Sequence, residues 1–206
     1  MPRISKDPEI RKAEIMGAAE AHFKMHGYHE TQIGDIVKAI GVAQGTFYYY
    51  FKSKEEIVEA IVKQKLTQVI DEIESIADSK EMNALAKISS VIRRIYTGSI
   101  QDDGSLIFEY LYNDKYFYIL DRIGRQFREL FSPQMQKIVD EGIQQGIFRV
   151  AYPNGAVDFI QAVIRCLVES LYKKESDENM AQRKGLAQKL IQTTLGIECE
   201  IVCLNN

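Results

Sequence analysis

Tyrosine and lysine side chains are concentrated in one short stretch of this chain, residues 41–54. Three consecutive tyrosines at 48–50 lie between two phenylalanines, and Lys52 and Lys54 follow them. Tyrosine hydroxyls, lysine ammonium groups and backbone N–H groups are donors that proteins direct at the phosphates of nucleic acids. The composition of this stretch therefore indicates recognition of a DNA backbone.

Helical geometry decides which of these side chains are exposed. Neighbouring residues on a helix point about 100° apart, so a helix of about two turns cannot bury five adjacent aromatic rings. Phe47 and Phe51, which are four residues apart, are predicted to point inward together. The three tyrosines must then project partly outward, which favours a recognition helix over plain core filling.

Helical signals continue along the chain, and no segment reads as a strand. Asp7-Pro8-Glu9 predicts a helix start, and Gly27 predicts its end. A second helix is predicted between Thr31 and Gly41, and Ser53 with Glu56 forms a capping box for a long helix over 54–78. The fold class is therefore predicted to be all-α, with further helices over 82–98, 105–113, 117–145, 154–174 and 178–195.

The composition is that of an ordinary soluble protein, with 206 residues, 46% hydrophobic and 27% charged. No apolar run approaches the roughly 18 residues that span a bilayer, so no membrane partner is predicted. The cysteines number three, and no signal-peptide core precedes them, which predicts reduced thiols and a cytoplasmic protein. The net charge of −3 hides a basic excess in residues 1–54, which contain eight Lys/Arg and six Asp/Glu.

Sites for catalysis or metal binding are not evident. The chain has no nucleophile elbow and no glycine-rich phosphate loop. His22 and His26 have a spacing that would suit zinc, but both lie on the predicted apolar face beside Phe23 and no cysteine is near. The sequence therefore predicts no catalytic residue, no metal and no cofactor.

The predicted helix over 154–174 has two apolar faces, one of which contains Phe159 and Val163. Such a helix is buried on more than one side. The pattern fits the centre of a monomeric bundle and equally a helix shared with a second subunit. If the last two helices form a dimer, the predicted interface contains Phe159, Val163, Leu186, Leu190 and Ile191.

Aromatic residues are dense between positions 108 and 131. Most are expected to pack a core, but ligand pockets are also mainly apolar. An acyl thioester or other lipid and a planar aromatic drug would both suit such a pocket. The residues predicted to line it are Phe108, Tyr112, Phe127 and Phe159.

An ordered set of residues surrounds the tyrosines. It includes Gly27-Tyr28, Thr31-Gln32-Ile33, Gly41-Val42, Gly45-Thr46 and Phe51-Lys52. With Ile15, Phe23, Tyr48 and Lys54, this set resembles the N-terminal domain of the tetracycline-repressor (TetR) family of bacterial regulators. The likeness covers roughly residues 9–69, with the helix-turn-helix at about 32–51, and leaves 70–206 as a ligand-binding and dimerisation domain.

The resemblance implies a homodimeric repressor that binds a palindromic double-stranded DNA operator and releases it when a small hydrophobic ligand binds. Ala43 departs from the family pattern, because many relatives have Ser or Thr there as a helix cap. An all-α enzyme and a purely structural helical bundle are the rival classes. By the resemblance, the DNA-contacting residues are Gln32, Gln44, Gly45, Thr46, Tyr48, Tyr49, Tyr50 and Lys54.

Overall fold

The computed structural model describes residues 7–101, 117–173 and 175–198, which form eight helices and no strand. The prediction of an all-α fold is confirmed. The short helix predicted over 105–113 lies outside the described residues. The helices are α1 (Pro8–His26), α2 (Ile33–Ala39), α3 (Gln44–Tyr50), α4 (Lys54–Asp78), α5 (Ala84–Gln101), α6 (Phe117–Gln144), α7 (Pro153–Tyr172) and α8 (Asp177–Leu195).

Local capping explains the ends of the first helices. The Asp7 carboxylate accepts a hydrogen bond of 2.8 Å from the Glu9 backbone N–H at the start of α1. Gly27 ends this helix with a φ of 79°, and Gly41 follows α2 with a φ of 66°. Side-chain-bearing residues rarely adopt such angles, so glycine sets both helix ends.

Contacts divide the chain within α4. Among the described residues, one compact unit comprises 7–66 and 117–121, and the other comprises 67–101, 122–173 and 175–198. The domain ranges predicted from the sequence, 9–69 and 70–206, stay a prediction.

The first unit has a small apolar core to which α1, α2, α3 and the start of α4 contribute. On α1 the buried residues are Ile15, Ala19 and Phe23, as their spacing predicts. His26 was expected on this face and is instead exposed, because it lies at the last turn of the helix beyond the packed stripe. Other buried residues of this core are Ile36, Val37, Phe47, Phe51, Ile57, Val58, Ile61 and Val62.

The second unit has a larger apolar core in which α7 packs against α5 and α8. A charge pair with one buried partner, Lys87, lies in this unit. The ammonium of Lys87 donates to Glu141 at 2.5 Å and to the carbonyl oxygen of Ala77, near the end of α4, at 2.9 Å. Core residues include Ile73, Ile88, Val91, Phe131, Met135, Ile138, Ile160, Leu167, Ile191 and Leu195.

None of the helices in the described part of the chain combines the length and the hydropathy that crossing a bilayer requires.

Candidate nucleic-acid interface

The two phenylalanines of α3 and its following residue fix the orientation of this helix. Phe47 and Phe51 are both buried, and their ring centroids are 5.8 Å apart. They share one face because they are four residues apart. The prediction that this pair points inward is confirmed, and the opposite face of α3 is therefore turned to solvent.

We call the exposed side chains of Gln44, Tyr48 and Tyr49 the tyrosine surface. Tyr49 has 78% of its surface exposed, and its ring meets that of Tyr50 edge to face at 4.9 Å. Tyr48 is half exposed and packs edge to face on Phe47. Each tyrosine thus lies against another ring. The exposed tyrosine side chains suit hydroxyl contacts to phosphate, and the exposed amide of Gln44 suits a contact to a base edge.

Gly45 lies within α3 on the exposed side. A Cβ atom placed on this residue would meet no atom within 4 Å, and its φ is not positive. The fold therefore does not require glycine here, although glycine costs roughly 0.5–1 kcal/mol in a helix relative to alanine. Gly34 in α2 has the same open surroundings.

Gln32 and Thr46 are also predicted to contact DNA from the helix-turn-helix. Gln32 precedes α2 at its N-cap, is exposed, and makes no side-chain capping bond. Thr46 is half-buried, and its backbone N–H donates to the carbonyl of Ala43 at 2.8 Å. Ala43 provides no side-chain cap, so α3 begins without one, as its departure from the family pattern implies.

Lys54, the first residue of α4, has intramolecular partners. Its ammonium group donates to the carbonyl oxygens of Tyr28 at 2.5 Å and Thr31 at 2.9 Å. A third carbonyl, that of His29, lies 3.3 Å away. An ammonium has three N–H donors, so this conformation leaves none for a phosphate. The predicted phosphate contact of Lys54 stays a prediction that this geometry does not favour.

The capping box at the start of α4 forms with one change. The backbone N–H of Glu56 donates to the Ser53 hydroxyl at 3.3 Å, as predicted. The Glu56 carboxylate accepts instead from the N–H of Lys52, at 2.6 Å. This hydrogen bond fixes the backbone of Lys52. The Lys52 side chain is exposed, so its ammonium remains in solvent.

A second exposed surface lies on the last two helices. We define the α7–α8 surface by Phe159, Leu186 and Leu190, all of which are exposed, with 71% for Phe159. Val163 is half-buried. Ile191 requires a correction, because only 1% of its surface is exposed. It shares the inward stripe of α8 with Ala187 and Leu195, so it packs the core of its own chain.

The residues predicted to line a ligand pocket are only partly described. Phe108 and Tyr112 lie outside the described residues. Phe127 packs against the core of the second unit and stacks on Phe131, with centroids 5.3 Å apart. Phe159 lies on the outer surface, which does not fit the wall of an internal pocket and corrects that prediction.

Titratable residues give no metal centre in the part of the chain that the structure describes, where no group of three or more His, Cys, Asp or Glu could hold an ion. The His22 and His26 rings lie 5.7 Å apart in a tilted pair. Cys166 is exposed, and Cys199 and Cys203 lie outside the described residues.

Known proteins are similar to this chain in sequence and in fold. Residues 15–61 match the family of bacterial regulatory proteins called the tetR family. YfiR of Bacillus subtilis strain 168, an uncharacterized HTH-type transcriptional regulator, is 29% identical over 91% of this chain and 92% of its own length. The fatty acid metabolism regulator protein of the same strain is 37% identical over 45% of this chain and 47% of its own.

A solved structure of the transcriptional regulator FadR from Bacillus subtilis, in complex with stearoyl-CoA, has the same fold. Its TM-score is 0.65 at 24% identity, with 87% of this chain and 97% of that chain covered. The family and these relatives are transcriptional regulators and not enzymes. Residues 15–61 of this chain belong to the tetR family of bacterial regulatory proteins, and the chain over nearly its whole length is similar to an HTH-type transcriptional regulator.

Proposed function

We propose that this regulator is a homodimeric repressor that leaves a palindromic operator when a fatty acyl thioester binds. The observation that carries the DNA-binding part is the tyrosine surface on α3. Three exposed side chains able to hydrogen-bond lie on the face opposite the buried phenylalanines, and Gly45 adds no side chain beside them.

The contacts to DNA are divided by chemistry. Tyr48, Tyr49 and Tyr50 donate hydroxyl hydrogen bonds to phosphates, which position the protein without reading sequence. Gln44 pairs with an adenine edge in the major groove, and the methyl group of Thr46 meets a thymine methyl. Gln32 contributes from the start of α2, and Gly45 allows α3 to approach the groove closely.

Dimerisation uses the α7–α8 surface. Two copies of this surface, with Val163, form an interface of four helices that buries on the order of 2,000 Å² or more, as obligate interfaces do. The dimer holds its two copies of α3, the reading helices, about 34 Å apart, which is one turn of DNA. The two helices therefore enter successive major grooves. A palindromic operator follows from this two-fold symmetry.

A fatty acyl thioester is the ligand class that the relatives favour. One relative is a fatty acid metabolism regulator protein, and the FadR structure holds stearoyl-CoA. The aromatic residues between 108 and 131, including Phe127, provide the apolar lining that an acyl chain needs.

The long helix α4 couples the ligand to the DNA. It begins beside the helix-turn-helix at Lys54 and continues to Asp78 in the second unit. A ligand that binds best to a dimer with a different spacing of its reading helices competes with the operator. Its effect is limited to the difference in its affinity for the two conformations.

The test begins with duplexes that the wild-type protein selects from a randomised library. The selected sequences should be palindromic. Titration of the complex with stearoyl-CoA should weaken DNA binding roughly 5- to 150-fold, the usual range of allosteric coupling.

Coenzyme A is the matched control, because it has the same head group without the acyl chain, and it should have no effect. Selection of no sequence would contradict the DNA-binding part. Selection with no response to stearoyl-CoA would contradict only the ligand class.

A further inference from the structure

The bonds of Lys54 close a loop around the whole helix-turn-helix. Its ammonium donates to the carbonyl of Thr31, two residues before α2, at 2.9 Å. The helix-turn-helix at 32–51 is therefore flanked by two residues, Thr31 and Lys54, that are hydrogen-bonded to each other across 23 positions. This bond joins the chain just before the segment to the chain just after it.

The turn that accepts these bonds is well packed. Tyr28 is buried, its ring lies 5.6 Å from that of Phe23 in α1, and the Lys54 ammonium lies 4.3 Å from its centroid. Thr31 is also buried, and its hydroxyl donates to the carbonyl of Gly27 at 2.8 Å. Lys54 thus joins the start of α4 to a turn that α1 already anchors.

The surroundings of Lys54 differ from those of an exposed phosphate-binding lysine. Burial lowers the pKa of Lys54, since it penalises the charged form, while the charges of Glu55 and Glu30 act in the opposite direction. To reach a phosphate, the ammonium would have to leave three carbonyl acceptors and the face of the Tyr28 ring. Each of these contacts is lost in such a movement.

Lys52 is the contrasting residue. It lies two positions after the end of α3, its side chain is exposed, and its backbone N–H is held by Glu56 at 2.6 Å. The tyrosine surface and the Lys52 ammonium therefore belong to the same short segment. An exposed ammonium on a fixed backbone has the properties of a phosphate contact.

We propose that Lys54 is a positioning residue that ties the turn at 28–31 to the start of α4, and that Lys52 contacts the phosphate at this end of the recognition helix. The DNA part of this inference rests on the proposed function, because it assumes that α3 binds an operator. The tie itself does not depend on DNA.

The salt dependence of DNA binding separates the two roles. Each phosphate contact adds about 0.9 to the slope of log K against log salt. Lys52→Met should make this slope less steep by about 0.9 for each subunit. Lys54→Met should leave the slope unchanged and lower the affinity about tenfold at every salt concentration, the size of one lost charge-assisted hydrogen bond.

The affinities are measured on the full-length protein, with a duplex selected by the wild type, well below the melting temperatures of both variants. Under these conditions a lysine that only stabilised the fold would leave the affinity unchanged, and that result would overturn the positioning role. A slope less steep by about 0.9 per subunit in Lys54→Met would assign the phosphate to Lys54 instead. An unchanged slope in Lys52→Met would remove the role given to Lys52.

Amide hydrogen exchange tests the tie without DNA. Exchange at residues 31–33 should become at least several-fold faster in Lys54→Met and stay unchanged in Lys52→Met. Equal exchange in both variants would show that the tie has no structural effect. If the wild type selected no duplex at all, the proposed function would fail, and the exchange result would still decide whether Lys54 holds this turn.

Discussion

The tyrosine surface and the α7–α8 surface both expose large apolar side chains, but only the first also presents polar atoms. Tyr48 and Tyr49 end in hydroxyl groups that water or a phosphate can satisfy. Phe159, Leu186 and Leu190 have no polar atom to place in water. Exposed hydrocarbon of this kind marks an association surface.

Under the proposed function, this difference separates two kinds of recognition on one chain. The proposed DNA partner is polar and negatively charged, and it would be met by aromatic rings with hydrogen-bonding ends, which remain soluble without that partner. The proposed second copy of the chain would be met by hydrocarbon, which gains free energy only when water is excluded. Substitutions on the tyrosine surface should therefore weaken DNA binding and leave the dimer intact, whereas substitutions on the α7–α8 surface should weaken the dimer and, through it, DNA binding.

The largest effect is expected for Phe159→Glu. A charge in the centre of an apolar interface is strongly unfavourable, so this variant should be monomeric. Loss of the dimer removes the second, effectively intramolecular, DNA contact and should lower operator affinity roughly 10²- to 10⁴-fold. Sedimentation velocity and a DNA-binding titration measure the two consequences.

Leu130→Glu is the matched control, because Leu130 is also an exposed apolar residue but lies on another helix, α6. It should remain a dimer with normal DNA affinity. A dimeric Phe159→Glu protein, or equal behaviour of the two variants, would remove the proposed interface.

A smaller effect is expected when the hydroxyl groups of the tyrosine surface are removed. Tyr48→Phe and Tyr49→Phe keep the ring packing and lose one hydrogen bond each, which is worth about 0.5–1.5 kcal/mol. DNA binding should weaken to a similar extent on all sequences, while the dimer is unaffected. Tyr152→Phe, at an exposed tyrosine before α7, should change nothing.

Gln44→Ala tests base reading on the same surface. It should relax the preference at one base pair by about 1–3 kcal/mol and alter binding elsewhere little, if the amide pairs with adenine. Affinities for duplexes with single substitutions measure this. Uniform weakening across all of them would show a phosphate contact in place of base reading.

Gly45→Ala should change stability and binding in opposite directions. The new methyl group meets no atom of the chain and favours the helix, so the free energy of unfolding should rise by roughly 0.5–1 kcal/mol. DNA binding should weaken because that methyl group faces the groove. Gly17→Ala in α1 has equally open surroundings, and it should stabilise the protein without affecting binding. Unchanged DNA affinity in Gly45→Ala would show that α3 does not approach the groove closely at this position.

Features set by local sequence could be predicted well. Gly27 and Gly41 gave correct helix ends because the required φ belongs to one residue. The inward direction of Phe47 and Phe51 followed from their spacing, and with it the outward direction of the tyrosines.

Features set by distant partners could not be predicted. The acceptors of Lys54 lie 23–26 residues earlier in the chain, so no local pattern indicates that its ammonium is occupied. Leu190 and Ile191 are adjacent apolar residues on α8, and only packing decides that Leu190 is exposed and Ile191 is buried. Periodicity alone admits both stripes of this helix as the core.

A further small effect concerns the ion pairs that support the unit bearing the tyrosine surface. The Glu20 carboxylate of α1 lies 2.8 Å from the Lys65 ammonium of α4 and 3.0 Å from that of Lys24. Burial alone would raise the pKa of Glu20, but the hydrogen bonds and the positive charges of Lys65 and Lys24 together outweigh it and lower this pKa below the ordinary 4.5. The folded protein therefore binds this proton less readily than the unfolded chain.

Between the two pKa values of Glu20 the unfolded chain holds more protons, so stability rises with pH in that window. The contribution of Glu20 is complete above about pH 4.5 and is lost as the pH falls through its lower folded value. Urea unfolding of the wild type and of Glu20→Gln should thus differ by up to about 1 kcal/mol at neutral pH and converge in acid, since the pair is partly exposed. The α7–α8 surface belongs to the other unit, so the dimer should be equally stable in both proteins. A difference between the two proteins that stayed constant below pH 4.5 would mean that Glu20 acts through packing and not through its charge.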